Sequence, residues 1–427
     1  MDPDLKSLFF TINPDDPFVF DIQGRLDFWN NNRAFFAETH GLSLYELALH
    51  QHHPSLLTCW PSQYPNSGGS YPYAHCEDIR QHTEWKYGKP FSTSTMGLVV
   101  YANDQEKRPV ALKLVEHESN EHTVLKLIID VQNRDGYIPG IVPVLSLVAV
   151  AGHWAVVMPR WSCSPVHGWF CSVKELLFCL EELLSGLVFL HSHRVVHRDL
   201  SRQNCLANLV LTNVNNVQSD NPANWMQNLQ ASHSVRYGWI DFGWAVVLPP
   251  LTALESCRLH CKQAHYGAWD PPPDVALGER TYNPFAFDVG TLGLYLACFT
   301  QHLTPQIPLL APFLDKMITR NVASRFTAQS ALDFLRFIQQ TLTEEELKEP
   351  CPHPGYKEQD SYMYDRWSAL PRHFVQEWQH MREPAPSKLV RLGWRLAEMS
   401  SWFRGVLAFC QRGLDWVRGV HHDVSST

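Results

Sequence analysis

The strongest constraint on the fold is the run "SVKELLFCLEELLSGLVFLHSH", residues 172–193, which empties into the polar stretch "VVHRDLSRQNCLAN". Leu176, Leu180, Leu183, Leu184 and Leu187 fall on one helical face, and Ser172 with Glu175 has the S-x-x-E spacing of a capping box. So apolar a helix belongs in a core, and it hands the chain directly to a loop carrying His197, Arg198, Asp199 and Asn204. Such a loop is either a polar helix exit with satisfied side chains or a place where chemistry is done. Partners elsewhere in the chain decide between the two.

Mostly strands precede this helix. From "STSTMGLVVYA" to "VALKLV" the pattern predicts two strands joined by the charged turn "NDQEKRP". "HESNEHTVLKLIIDV" has helical spacing, and "IVPVLSLVAV" and "HWAVVMP" predict two more strands. The uncharged stretch "GYIPGIVPVLSLVAVAGHWAVVMP" invites a membrane-spanning reading, but its prolines, glycines and β-branched residues fit buried strands better. Residues 285–342 are helical in pattern. Strands followed by helices predict an α+β fold of two unlike lobes with a cleft between them.

Composition narrows the function classes. The 427 residues carry a net charge of −8, which argues against general nucleic-acid affinity because that needs clustered positive charge. Eleven scattered cysteines, an odd number, do not make a secreted disulfide scaffold and point to a reduced, intracellular setting, cytoplasmic or nuclear. The start, "MDPDLKSLFFTINPDD", is acidic and lacks the basic-then-apolar pattern of a secretory signal.

The partners the loop needs are there. Asn204 follows Asp199, and Asp241 sits further on in "IDFG". An amide oxygen and a carboxylate suit Mg²⁺, a hard cation that shares its shell with phosphates. A separate carboxylate can orient an attacking hydroxyl and take its proton. Lys113 in "VALK" can set a point charge on phosphate oxygens, with Glu121 on the next helix to hold it. Glu118 is the nearest competitor; Leu125, four residues beyond Glu121, faces the core and turns Glu121 toward Lys113.

Together these residues resemble the eukaryotic protein kinase family over roughly residues 90–340. "HRDLSRQN" looks like its catalytic loop, "DFG" like its metal-binding motif, "VALK" like its third-strand lysine and "NEHTVL" like its ion-pair helix. "PPPD" stands where the family writes A-P-E, "DVGTLG" resembles the helix that begins with a structural aspartate, Asp288, and "RNVASRFTAQSAL" resembles the final motif, whose Arg325 would pair with Asp274. The resemblance implies a bilobal kinase-like fold with a small β-rich lobe and a larger helical one. It assigns Asp199 as base or orienter, Asn204 and Asp241 as Mg²⁺ ligands, Lys113 to the phosphates of ATP and Glu121 to Lys113. Gly97, Val99, Ala111, Leu206 and the backbone from Met158 to Arg160 would surround the nucleotide. Arg198 would meet a phosphate on the activation segment, at Thr252, Ser256 or Tyr266.

The sequence departs from the family at the phosphate loop. "STSTMGLV" keeps Gly97 and Val99 but has Ser92 and Ser94 at the first two glycine positions. Serine adds bulk where backbone approaches phosphate, so nucleotide affinity is expected to be weaker rather than absent. Ser201 stands where serine/threonine kinases usually place a lysine, with Arg202 beside it. The run from Asn204 to Asp241 exceeds the family spacing by roughly two dozen residues, which we assign to an exposed insert at about 212–234.

The expected organisation is an N-terminal extension over 1–87, a kinase-like domain over 88–345 and a helical C-terminal extension over 346–427. The expected function is transfer of the ATP γ-phosphate to a protein hydroxyl, serine or threonine preferred. A catalytically impaired pseudokinase scaffold that still binds ATP and a small-molecule phosphotransferase are the alternatives. Cys257, His260, Cys261 and His265 have zinc-type chemistry, but no second C-x-x-C backs them, and free thiols are the preferred reading. The tail from Lys388 to Val420 mixes aromatic and aliphatic residues with arginines. It is read as an apolar face docked on the helical lobe, with a membrane-surface helix as the less favoured reading.

Overall fold

The structure, a computed structural model, describes residues 21–49, 56–59, 70–76, 97–162, 170–210, 224–264, 271–277, 279–352, 361–399, 406 and 409, and the strands at 11–13, 16–20 and 90–92; at these strands, 224–227 and 397–399 it describes backbone only. Ser94, Tyr266, His265 and most of the expected insert lie outside the described residues. The chain divides into two compact units, Met1–Cys163 with Leu206–Trp225 and Val235–Ile240, and Ser164–Cys205 with Met226–Ser234 and Asp241–Thr427.

The first unit is built on a five-stranded antiparallel sheet. Its strands are β1 (Ser43–Leu44), β2 (Val99–Asn103), β3 (Pro109–Val115), β4 (Ser146–Val150) and β5 (His153–Pro159), ordered β4-β5-β3-β2-β1. Alternation sorts the faces. Val100, Ala102, Val110, Leu112, Leu114, Ala155 and Val157 point into the core, where they meet Ile22, Phe28, Trp29, Phe36 and Leu56. The turn between β2 and β3 is tied by Asp104, whose Oδ1 accepts the N–H groups of Glu106 and Arg108. Residues from the N-terminal stretch thus supply both an edge strand and core side chains: helices α1 (Ile22–Asn31) and α2 (Arg33–His40) pack on the sheet, and Arg33 donates to the carbonyls of Leu44 and Tyr45. A second sheet pairs Glu46–Leu49, Leu56–Cys59 and Pro90–Ser92. Ser92, expected at the first glycine position of the phosphate loop, is paired with Leu57 in this sheet. Helix α3 (Asn120–Asp135) is capped by Ser119, whose side chain accepts the His122 N–H.

The second unit is largely helical. Helix α4 (Val173–Ser192) is the apolar helix of the sequence; Ser172 Oγ accepts the Glu175 N–H, while the Glu175 carboxylate turns to His233 Nδ1 at 3.3 Å. Helices α5 (Pro284–Thr300), α6 (Leu310–Ile318) and α7 (Ala328–Thr341) fall in the stretch expected to be helical. The segment beyond α7 is welded on through Asp315 of α6, which accepts from the Arg366 guanidinium, Trp367 Nε1 (2.7 Å) and the Glu383 N–H (2.8 Å). Burial pushes the Asp315 carboxyl up, against the pull of Arg366.

Helix α8 (Lys388–Met399) docks on this unit, though not by the face expected. A Cβ at Gly393 would lie 3.1 Å from Leu277, and Trp394 packs against Tyr362 with ring centroids 5.7 Å apart. Leu389 and Leu392 are exposed. Gly393 allows the backbone to approach closely there, and the Trp394 ring beside it fills the contact. Among the described residues no helix is long and apolar enough to cross a membrane.

Candidate active site

In the first unit the strand register sets one row of side chains beside another. Val99, Lys113 and Val156 are cross-strand partners, and so are Tyr101, Ala111 and Met158. Both rows share the face opposite the core, because they are two residues apart along each strand. Val99, Ala111 and Met158 are therefore assembled around Lys113 as a half-buried apolar surface. Lys113 Nζ lies 2.6 Å from Glu121 Oε1, with both side chains largely buried. Glu121 sits in the first turn of α3, where a carboxylate is favoured by the helix dipole. Glu118 is 85% exposed at its side chain and faces His117, so the geometry selects Glu121.

Leu206, expected beside a nucleotide, has neighbours that local sequence did not announce. Leu206 packs with Tyr101 and Ile240 against Tyr45, Ala74, Cys76 and Trp161. The Arg160 guanidinium lies 4.1 Å from the Tyr101 ring centroid and 5.9 Å from that of Tyr45. Tyr45 Oη donates to Asn103 Oδ1 at 2.9 Å, and burial pushes its hydroxyl up to about 12. The Arg160 N–H is donated to Pro109 O and the Trp161 N–H to Pro159 O, while Pro159 has no N–H to give. Gly97 adopts φ +66°, its carbonyl accepts from Trp29 Nε1 at 3.0 Å, and a Cβ there would meet Leu56 at 3.2 Å. Glycine at 97 is thus explained by a left-handed backbone packed into the core.

In the second unit the polar loop after α4 hangs from one buried carboxylate. Asp288, near the start of α5 and fully buried, accepts the His197 N–H at 2.7 Å and the Arg198 N–H at 2.8 Å, with His191 Nε2 at 3.1 Å. Asn204 Nδ2 lies 2.8 Å from both the carbonyl and Oδ2 of Asp199, which orients the carboxylate and turns the amide oxygen away from it. Asp241 Oδ1 accepts the Gly243 N–H at 3.2 Å, and Phe242 packs on His197. Arg198 and Asp241 both have φ of 64°, a costly conformation for side chains of this size.

The Arg198 side chain reaches into the segment after Asp241. Its Nε donates to Trp244 O at 2.7 Å and its Nη1 to Gln263 O, which also accepts from Tyr282 Oη. Burial pushes the Tyr282 hydroxyl up to about 12, with Arg198 opposing. Thr252 is half-buried and Ser256 exposed. Arg325 makes the pairing expected of it, bidentate to Asp274 at 2.7 and 2.8 Å. His260 Nδ1 caps a short turn by accepting the Lys262 N–H. Among the described residues no three His, Cys, Asp or Glu side chains form a metal-holding group.

Asp288 and Lys113 were legible from motifs; Tyr45 was not. It lies 58 residues from its partner Asn103, in a stretch without repeat or motif. Comparison with known proteins finds that the model of a family described as protein tyrosine and serine/threonine kinase matches residues 86–214. No curated protein matches the chain.

Proposed function

Since a protein-kinase-like domain is present over residues 86–214, we propose that the chain is a protein kinase that transfers the ATP γ-phosphate to a serine or threonine hydroxyl. The observation that carries this reading is the Lys113–Glu121 ion pair at 2.6 Å. It holds a cation on the same sheet face as Val99, Ala111 and Met158, so a phosphate-binding charge stands beside an apolar surface suited to a base.

The roles follow from chemistry. Lys113 binds the α- and β-phosphates, and Val99, Ala111, Met158 and Leu206 flank the base, with Gly97 at the edge. Mg²⁺, when held by Asn204 and Asp241, neutralises phosphate charge. Asp199 orients the substrate hydroxyl and accepts its proton as the oxygen–phosphorus bond forms and the bond to the β-phosphate oxygen breaks, releasing ADP. Asn204 Nδ2 keeps Asp199 in register. Arg198, bonded to carbonyls on either side of Thr252 and Ser256, sets the conformation of that segment, whose phosphorylation would compete for the guanidinium. The buried Asp274–Arg325 pair, which closes the segment, supports a protein kinase over a small-molecule phosphotransferase. An intracellular setting suits the free thiols of the described cysteines.

A second reading, a pseudokinase scaffold, is favoured by one observation: Leu206 and Tyr101 both pack on the cluster that holds Tyr45 and Cys76, where a base would have to lie. The deciding experiment measures Mg²⁺-dependent ATP binding and turnover on purified wild type beside Lys113→Met, Asp199→Ala and Asp241→Asn. The kinase reading expects turnover lost in all three and ATP binding kept in Asp199→Ala. Binding without turnover in wild type would establish the scaffold, and no binding at all would end both readings.

A further inference from the structure

Helix α8 has two sides, and the second unit uses only one of them. Gly393 and Trp394 lie against Leu277 and Tyr362. The opposite side leaves Leu389 80% and Leu392 52% exposed, beside the exposed Lys388 and Arg395. Met363, also exposed, lies next to Arg391. Further along, the helical positions Val406 and Phe409 are exposed as well, Phe409 at 71%.

These residues belong to one stripe in the sequence. Leu389, Leu392, Leu396, Met399, Phe403, Val406 and Cys410 recur at alternating steps of three and four, the spacing of a single helical face. From 388 to 420 there are six Lys or Arg and two Asp or Glu. A seam between two copies would be narrow, with opposite charges alternating on its flanks. Here the exposed Leu389 and Leu392 have the cations Lys388 and Arg395 beside them, so a second copy would bring like charge and an anionic lipid surface opposite charge.

We infer that α8 forms an amphipathic anchor that lies on an anionic lipid surface, Leu389 and Leu392 entering the acyl boundary and Lys388 and Arg395 reaching the headgroups. Docking through Gly393 and Trp394 presents this face ready-made, so the helix is already ordered when it meets the bilayer. The basic flanks supply charge complementarity, and their long side chains keep the charge in the headgroup layer while their stems lie along apolar surface.

The test is co-sedimentation of the full chain with phosphatidylcholine vesicles and with vesicles containing phosphatidylserine as well. Binding to the anionic vesicles should exceed binding to the neutral ones by about tenfold or more and fall as salt is raised. Leu389→Glu with Leu392→Glu should reduce it by about tenfold or more, and thermal melting should be unchanged because both side chains are exposed. Lys388→Glu with Arg395→Glu, which keeps the stripe, should abolish the preference for phosphatidylserine. Equal binding to both vesicle types, no binding, or binding that survives the leucine variant would overturn the inference. So would concentration-dependent self-association in sedimentation velocity that the leucine variant abolishes without any lipid binding, since that would assign the face to a second copy.

Discussion

Asp288 accepts the main-chain N–H of Arg198 at 2.8 Å, and Arg198 holds a left-handed backbone, φ 64°, that arginine rarely adopts. A charged acceptor in a fully buried position offsets that strain, and a second N–H, from His197 at 2.7 Å, shares it. The loop that presents Asp199 is therefore suspended from a helix that begins about ninety residues later. Asp288→Asn puts an NH₂ group where one of these donors points and leaves a buried N–H unpaired. The expected loss is about 1–3 kcal/mol of stability, read from the urea midpoint, with phosphotransfer falling more than ATP binding.

Glu121→Gln removes the 2.6 Å ion pair that orients Lys113. ATP affinity should fall about tenfold, equivalent to about 1.4 kcal/mol, by titration calorimetry. Glu118→Gln, at a side chain 85% exposed, should leave affinity unchanged. Equal effects from the two would show that Glu121 does not position the lysine.

The Asp274–Arg325 pair has almost no solvent contact, with side chains 3% and 0% exposed. Removing one member strands the other, so Asp274→Ala should cost about 3–5 kcal/mol in chemical denaturation. Replacing both by apolar residues should recover most of that loss, because the remaining cost is the uncompensated charge and not the missing attraction.

Tyr101 stands in the same cross-strand row as Ala111 and Met158 and packs, like Leu206, on the cluster that holds Tyr45 and Cys76. If its ring must move aside for a base, the binding-competent state is only partly populated and apparent affinity is reduced in proportion. Tyr101→Val should then tighten ATP binding by about threefold to tenfold. A weaker complex in this variant would instead make Tyr101 a stacking partner of the base.

Burial pushes the Glu175 carboxyl up from its ordinary 4.5 to about 7, with Lys174 opposing. The native state thus keeps a proton that the unfolded chain gives up above pH 4.5, so this contribution to stability is present below 4.5 and lost as pH rises toward 7. Glu175→Gln cannot ionise. Its stability relative to wild type should rise by up to about 3 kcal/mol between pH 4.5 and 7, measured by denaturation at several pH values.

What was legible in the chain was local. The leucine face of α4, the hairpin of β2 and β3, the cap at Ser172 and the loop from His197 to Asn204 all follow from spacings of a few residues, because helix and strand periods repeat over that range. Motif order carried somewhat further and named Lys113, Asp288 and the Asp274–Arg325 partnership. What only tertiary structure decided are pairings with no period to betray them. Ser43–Leu44 becomes the edge strand beside β2 although it is two residues long. Gly97 is spoken for by Trp29, 68 residues earlier, and Ser92 joins another sheet. Tyr45 reaches the Leu206 cluster, and α8 lies down on its glycine face with its leucines outward. Burial and partner choice at such distances depend on how the whole chain packs, and a window of sequence holds only the local half of that free energy.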